Sequence, residues 1–150
     1  MLKKIVQTIW RGLPPSFRQM IVRATQPTFT VSVAAIIVNE KGEVLLLDHV
    51  LRSRLSWGAP GGFLAHGEQP VAAVRRELRE EPGIEITGAE LFRVRTVGGS
   101  HVEIMFRAEA VGTAPVKSRE INAVGWFKPG EMPKNMNQSQ RRLVENLLKN

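Results

Sequence analysis

Two short amphipathic stretches open the chain, at positions 4–10 and 15–24. In the second, apolar residues recur at helical spacing: Phe17, Met20, Ile21 and Ala24. Pro14 and Pro15 separate the two stretches, because proline lacks an amide proton and restricts the residue before it. We expect two short helices here, the second packed on the body of the domain. A helix lying on a membrane surface is the alternative.

From Thr28 onward the period changes to that of a strand, with apolar residues at every second position: Phe29, Val31, Val33, Ala35 and Ile37. A turn is predicted at 39–42, followed by a buried strand at 44–47. The remaining predicted elements are strands near 84–97, 101–111 and 121–127 and helices at 70–81 and 139–149.

This order of elements, with strands in hairpins around one long central helix, predicts an α+β fold. The expected architecture is an α/β/α sandwich with a mixed β-sheet, preceded by a short helical N-terminal extension. We expect the extension to comprise residues 1–27 and the domain residues 28–150. A length of 150 residues suits one compact domain.

The amino-acid composition argues against several kinds of functional site. The sequence contains no cysteine, which excludes a disulfide scaffold, a thiolate zinc site and a cysteine nucleophile. The three histidines, His49, His66 and His101, have no metal-ligand spacing, so a histidine-rich zinc site is not expected.

The basic charge is concentrated at the start of the chain. The net charge is +7, and the first 28 residues hold no acid and these bases: Lys3, Lys4, Arg11, Arg18 and Arg23. A solvated helix face is the simplest explanation, and nucleic acid or an anionic membrane surface are the alternatives. The chain has neither an apolar run long enough to span a bilayer nor a signal peptide pattern, so we expect a cytoplasmic location.

The most informative segment is the helix predicted at 70–81, because it gathers three carboxylates. Glu77 and Glu81 lie about 40° apart on one face, and Glu80 lies on the next flank. Such like charges repel, and the dipole at a helix C-terminus disfavours them further. A hard divalent cation would remove this conflict, since it prefers oxygen ligands.

The surroundings of these acids support that interpretation. Val71, Val74 and Leu78 form an apolar stripe, so Glu77 and Glu81 should border the packing surface of the helix. Two loops flank the helix. Pro82-Gly83 ends it abruptly, and Pro60-Gly61-Gly62 precedes it with a backbone that a ligand can approach closely.

The segment Gly62–Ile84 resembles the Nudix box, Gly-x5-Glu-x7-Arg-Glu-U-x-Glu-Glu-x-Gly-U, where U is aliphatic. Every defined position is filled, by Gly62, Glu68, Arg76, Glu77, Leu78, Glu80, Glu81, Gly83 and Ile84. A looser resemblance extends from about residue 28 to residue 133. Residues 1–27 lie outside it.

The resemblance implies an Mg²⁺- or Mn²⁺-dependent hydrolase that cleaves a nucleoside diphosphate linked to another group, X. By the same resemblance, Glu77 and Glu81 are the main metal ligands, Glu80 is a further or water-mediated ligand, and the Gly61 carbonyl is a candidate ligand. Arg76 is expected to pair with Glu68 and so to fix the loop against the helix.

The general base and the substrate contacts remain open at this stage. The base is either a glutamate of the box or a later one, Glu103 or Glu120. Candidate substrate-binding residues are Arg52, Arg54, Gly61, Gly62 and Glu103. We expect Trp57, Trp126 and Phe127 to pack in or beside the core rather than to stack on a base, and His66 to face solvent.

The predicted function is therefore hydrolysis of a diphosphate linkage in a nucleotide derivative by metal-activated water. The alternatives are a Nudix-fold domain that binds a nucleotide without turnover and a basic protein that associates with RNA or a membrane. A homodimer is compatible with the resemblance. Neither the group X nor the base can be read from the sequence.

Overall fold

The computed structural model describes residues 2–52, 54–112 and 118–148. The chain divides into two compact units, Met1–Thr30 and Val31–Asn150. None of the helices in the described residues combines the length and the apolar character needed to cross a bilayer.

The first unit contains two helices, α1 (Leu2–Gly12) and α2 (Pro15–Thr25), which confirms both predicted helices. Proline stands at the start of α2, where a missing amide proton costs nothing. The Arg18 Nε donates a hydrogen bond to the Leu13 carbonyl oxygen at 2.9 Å, across the break between the helices.

The second unit confirms the predicted strands and helices to within a few residues. Its elements are β1 (Thr30–Ile37), β2 (Val44–His49), β3 (Trp57–Gly58), β4 (Gly61–Phe63), α3 (Pro70–Glu80), β5 (Glu85–Val97), β6 (His101–Val111), β7 (Ile121–Phe127), a 3₁₀ turn (Pro129–Glu131) and α4 (Gln138–Leu148). The sequence analysis missed β3, β4 and the 3₁₀ turn, because two or three residues show no periodicity.

The strands form two sheets. One has the order β4-β1-β6-β5 and the other the order β3-β2-β7. In the first sheet β4 pairs antiparallel with β1, and this pairing places Gly61 opposite Ala34 and Gly62 opposite Val33. The loop before α3 is thereby held against β1. The mixed α+β fold is the one predicted.

Strands β1, β2 and β6 bury hydrophobic side chains on both of their faces. One core lies on the α3 side and includes Val33, Leu45, Val74, Leu78 and Phe106. The other lies on the α4 side and includes Ile36, Leu46, Met105, Val144 and Leu147. Sheets between two helices are the sandwich that the sequence predicts.

One detail of the predicted packing is wrong. α3 buries Ala73, Val74 and Leu78, whereas Val71 is 40% exposed. Val71 lies in the first turn of the helix, ahead of the point where α3 meets the sheet. The buried face of α3 therefore includes the small residue Ala73 in place of the predicted Val71.

Candidate active site

A cavity of about 550 Å³ opens beside the C-terminal end of α3. One part of its wall comes from the segment that resembles the Nudix box and includes Gly61, Gly62, Glu77 and Glu81. The rest comes from distant parts of the chain and includes His49, Arg52, Glu103, Glu120 and Gln140. Four carboxylates and one guanidinium therefore share a single cavity.

Glu81 ends α3, and the turn that follows fixes its position. The Glu81 amide donates to the Glu77 carbonyl oxygen and the Ile84 amide to the Leu78 carbonyl oxygen, both at 2.8 Å. Gly83 permits this turn because its φ is +69°. As a result Glu81 is only 7% exposed, more deeply buried than the rim position that the sequence suggests.

The surroundings of Glu81 disfavour its charged form. Burial is the main cause that raises the pKa of Glu81 to about 7, and the Glu77 and Glu120 carboxylates add to it. The Gly61 amide donates to Glu81 Oε2 at 3.2 Å, and this hydrogen bond acts in the opposite direction, as does the charge of Arg52. Near neutral pH, Glu81 is thus poised between its two protonation states.

His49 lies against Glu81, with 3.7 Å between its Nδ1 and the Glu81 Oε1. Burial and the charge of Arg52 lower the pKa of His49 to about 4, so its imidazole is neutral at pH 7 and the contact is not an ion pair. The pairing of β2 with β7 shifts its register between Asp48 and His49. Such an irregularity redirects a side chain at the end of a strand.

Glu77 fits against a backbone that only glycine allows. A Cβ atom added to Gly62 would overlap the Glu77 carboxylate, and one added to Gly61 would overlap the Val33 carbonyl oxygen. Gly61 also has a φ of +153°. The loop therefore approaches α3 at Gly62 and β1 at Gly61 more closely than any side chain at these two positions would permit.

Arg76 connects the helix to the loop, and the predicted pair with Glu68 is present. Its Nε and Nη2 bind the two oxygens of Glu68 at 2.9 and 3.0 Å, and Nη2 also donates to the Phe63 carbonyl oxygen at 3.2 Å. Its Nη1 binds Glu77 at 2.8 Å and Glu80 at 3.2 Å. The hydrogen bonds to Arg76 lower the pKa of Glu68.

Three of the residues predicted for the site, Arg54, Arg76 and Glu80, do not line the cavity. The Glu80 side chain is 60% exposed, and its carboxylate binds Arg76. Arg52 and Arg54 are both exposed, and of the two it is Arg52 that lines the cavity wall. As expected, His66 is exposed, and Trp57 packs edge-on against Phe127 with ring centroids 5.1 Å apart.

Both later glutamates also line the cavity. Glu103 is 8% exposed and forms an ion pair with Arg95 Nε at 2.5 Å. The Gln140 Nε2 donates to Glu103 at 3.4 Å, while the Ala59 amide donates to Gln140 Oε1 at 3.4 Å. Glu120 lies on the turn before β7 and also faces the cavity.

Sequence reasoning missed His49 and Gln140. His49 ends a strand whose first four residues are buried and apolar. A polar side chain at the end of such a strand is a sequence signal for a site residue. Gln140 lies in the first turn of α4, about 60 residues after Glu81 along the chain. No local pattern connects it to the cavity, so only the fold brings it there.

The donor chemistry of the cavity fits a hard divalent cation. Glu77 and Glu81 supply carboxylate oxygens, and Gly61 lies in the same wall with a carbonyl oxygen available. Within residues 2–52, 54–112 and 118–148, no three His, Asp or Glu side chains already converge as a ready-made ligand set. Instead, Arg76 donates a hydrogen bond to the Glu77 carboxylate, and the Gly61 amide donates one to the Glu81 carboxylate.

Comparison with known proteins gives a consistent family. The NUDIX domain model matches residues 28–147. A MutT-like protein of Streptomyces ambofaciens is 34% identical over 111 residues, which are 73% of this chain and 71% of that protein. The human 8-oxo-dGDP phosphatase NUDT18 is 33% identical over 106 residues, 67% of this chain, but this chain spans only 33% of its length.

Solved structures agree with the sequence comparison. A MutT NUDIX hydrolase of Burkholderia pseudomallei has a TM-score of 0.69 at 30% identity, over 80% of this chain and 97% of that one. A NUDIX hydrolase of Nitrosomonas europaea has a TM-score of 0.73 at 23% identity, over 83% and 72%, and this likeness concerns the fold alone. Because the family model covers most of the chain and includes the box around the cavity, the chain belongs to the Nudix hydrolase family.

Proposed function

We propose that this protein hydrolyses a diphosphate linkage in a nucleoside diphosphate derivative and that the reaction requires Mg²⁺ or Mn²⁺. The observation that carries the proposal is the cavity in which Glu77 and Glu81 face Glu103 and Glu120, with Arg52 beside them. Its volume of about 550 Å³ lies in the range of small-molecule sites.

The box residues would hold the cation, with Glu77 and Glu81 as ligands and the Gly61 carbonyl as a further donor. When bound there, a divalent cation would neutralise phosphate charge and acidify a water molecule. Glu80 is proposed as a water-mediated partner at most, because its side chain is 60% exposed. Arg76 is proposed as a positioning residue, because its ion pair with Glu68 holds the loop against α3.

Substrate phosphates would meet Arg52 and the backbone of Gly61 and Gly62. Arg52 lines the cavity, and a guanidinium suits phosphate oxygens in charge and geometry. Arg54 is a weaker candidate, because it does not line the cavity. Phe63 and His101 also line the cavity, with ring centroids 5.8 Å apart, and they offer ring faces for a nucleobase.

Glu120 is the better candidate for the general base. Glu103 is committed to Arg95 at 2.5 Å and to Gln140 at 3.4 Å, which favours a role in shaping the far wall. No ion pair engages the Glu120 carboxylate within the described residues. An unpaired carboxylate can accept a proton from the attacking water more readily than one held by an arginine.

The names of the relatives narrow the substrate class. A MutT-like protein, an 8-oxo-dGDP phosphatase and an 8-oxo-dGTP diphosphatase of Proteus vulgaris share sequence with this chain. We therefore place purine nucleoside diphosphates and triphosphates, including oxidised ones, first among the substrates. Other nucleoside diphosphate derivatives, such as ADP-ribose, come second.

The deciding experiment is a substrate panel with Mg²⁺, with Mn²⁺ and with a chelator. Guanosine nucleotides, their 8-oxo forms and ADP-ribose would be compared by released phosphate, pyrophosphate or monophosphate. We expect metal-dependent release from at least one nucleotide. Nucleotide binding without any product, in either metal, would instead support a binding domain without turnover.

The base is tested by comparing Glu120→Gln with Glu103→Gln. We expect Glu120→Gln to lower kcat about a hundredfold and to remove the acidic limb of the pH–rate profile, since general bases contribute about that much. Glu103→Gln should mainly raise KM. If the acidic limb is lost only in Glu103→Gln, Glu103 is the general base and the assignment to Glu120 is wrong.

A further inference from the structure

The first helical unit has a feature that hydrolysis does not use, a clean separation of apolar and basic residues around α1. At about 100° per residue, the apolar side chains fill one arc of about 140°. They are Leu2, Ile5, Val6, Ile9 and Trp10. Lys3, Lys4 and Arg11 occupy the remaining arc together with Gln7 and Thr8.

Among the described residues of this unit, none covers the apolar arc. No described residue of α1 or α2 is buried within the unit, and the exposed fractions are 76% for Leu2, 51% for Ile5 and 60% for Ile9. Single exposed apolar side chains are common, but an unbroken arc of large ones is not. This arc therefore requires a partner.

The charge of the unit indicates the chemistry of that partner. Residues 1–28 contain five bases and no acid, and the bases continue into α2 with Arg18 and Arg23. α2 has a matching but narrower apolar group in Phe17, Met20 and Ala24. An anionic surface with an apolar interior complements both the positive charge of the unit and the apolar arc of α1.

We propose that α1, assisted by α2, attaches this hydrolase to the surface of an anionic membrane. α1 lies in the plane of the interface, with Ile5 and Ile9 among the acyl chains and Lys3 and Lys4 at the headgroup phosphates. A nucleic acid is a poorer fit, because it would use the cations but has no apolar phase for four aliphatic side chains; single strands favour stacking on aromatic rings. The enzyme would then meet its substrates at the membrane.

The experiment is flotation of the full chain with vesicles of phosphatidylglycerol and phosphatidylcholine in equal parts, and with phosphatidylcholine alone. We expect flotation with the anionic vesicles, less of it at high salt, and little with phosphatidylcholine alone. Trp10 fluorescence, isolated as the difference from Trp10→Phe, should shift to the blue on binding. No flotation with anionic vesicles would overturn the proposal.

A matched pair of variants separates insertion from simple charge attraction. Ile9→Glu and Thr8→Glu change the net charge equally, but Ile9 lies in the apolar arc of α1 and Thr8, about 100° away, lies in the polar arc. Thr8→Glu should weaken vesicle partitioning about fivefold, the usual effect of one charge near an anionic surface. Ile9→Glu should weaken it at least about fiftyfold, because it also removes a buried apolar side chain.

Equal losses in the two variants would mean adsorption by charge alone and would overturn the proposal. So would tight binding of single-stranded RNA that is indifferent to Ile9→Glu. A third contrary result would be a lower melting temperature of Ile9→Glu without vesicles, since α1 would then serve as a structural helix. Circular dichroism of both variants checks that the chain remains folded.

Discussion

Buried and exposed positions of α3 carry similar residues in opposite surroundings. On the side facing the sheet, Leu78 is fully buried and Glu81 is 7% exposed. Val71 has the same orientation as Leu78 but lies in the first turn, where it is 40% exposed, and the Glu80 side chain is 60% exposed. Glu80 and Glu81 are neighbours in sequence, yet about 100° of rotation separates a solvated carboxylate from one whose pKa burial raises to about 7.

This difference shows how the helix can serve stability and chemistry together. The inner side binds α3 to the sheet through Val74 and Leu78 and, in doing so, brings Glu81 out of water. A charged carboxylate held there without a cation in contact is unfavourable, and a bound divalent cation would relieve that cost. The exposed Val71 and Glu80 have no such constraint, so equivalent substitutions at the buried and the exposed positions should have unequal effects.

The largest difference is expected for the apolar pair. Leu78→Ala should lower the free energy of unfolding by about 3–4 kcal/mol, because it leaves a cavity in the α3-side core. Val71→Ala should change it by less than about 0.5 kcal/mol, since Val71 is largely exposed. Urea unfolding followed by circular dichroism measures both. Equal losses would mean that Val71 is also part of the core.

The acidic pair should differ in activity. Glu81→Gln should lower kcat/KM at least a hundredfold, about 2.7 kcal/mol of transition-state stabilisation, because an amide is a poor ligand for a hard cation. Glu80→Gln should cost less than about tenfold, since its carboxylate lies outside the cavity wall. Steady-state hydrolysis with Mg²⁺ compares them. A folded Glu81→Gln enzyme with normal turnover would contradict the proposed ligand set.

The arginine pair comes next. Arg76→Ala should lower kcat about 10- to 100-fold, as loss of a group that positions metal ligands usually does. It frees Glu68 and Glu77 at once. Arg79→Ala is the control, because Arg79 pairs only with the exposed Glu85 among described residues, and it should cost less than about twofold. Partial rescue in Arg76→Lys would support the positioning role.

The smallest effect concerns pH and stability. The pKa of Glu81 rises from its usual 4.5 to about 7 on folding, so the folded, metal-free protein keeps a proton that the unfolded chain has lost. Stability from this residue therefore falls as the pH rises from about 4.5 to about 7.

Glu81→Gln removes this loss. In a chelator at pH 8 it should be more stable than the wild type by about 1–2 kcal/mol, after allowance for partial solvent access. At pH 4 the two should be equal, and Glu80→Gln controls for the loss of one charge. Thermal unfolding at the two pH values is the measurement. A variant less stable than the wild type at pH 8 would show that Glu81 is not strained by burial.

Sequence and structure contributed different parts of this picture. The box could be recognised because its acids, its Arg76 and its glycines stand at defined positions within 23 consecutive residues. The resemblance to that box implied the pair of Arg76 with Glu68, which the structure contains. The register of β4 on β1, which presses Gly61 and Gly62 against Val33, was not, because three residues of strand give no periodic signal.

The sequence by itself determined the family, the order of the main helices and strands, and which residues of α3 could act together, since all of these follow from local spacing and side-chain chemistry. Only the tertiary structure decided that Glu81 is buried while Glu80 is not, that His49 and Gln140 join the site, and that Arg52 rather than Arg54 lines it. Those outcomes depend on contacts between residues far apart in the chain. Burial, which sets both the pKa of a carboxylate and its access to a ligand, exists only once these distant segments have packed together.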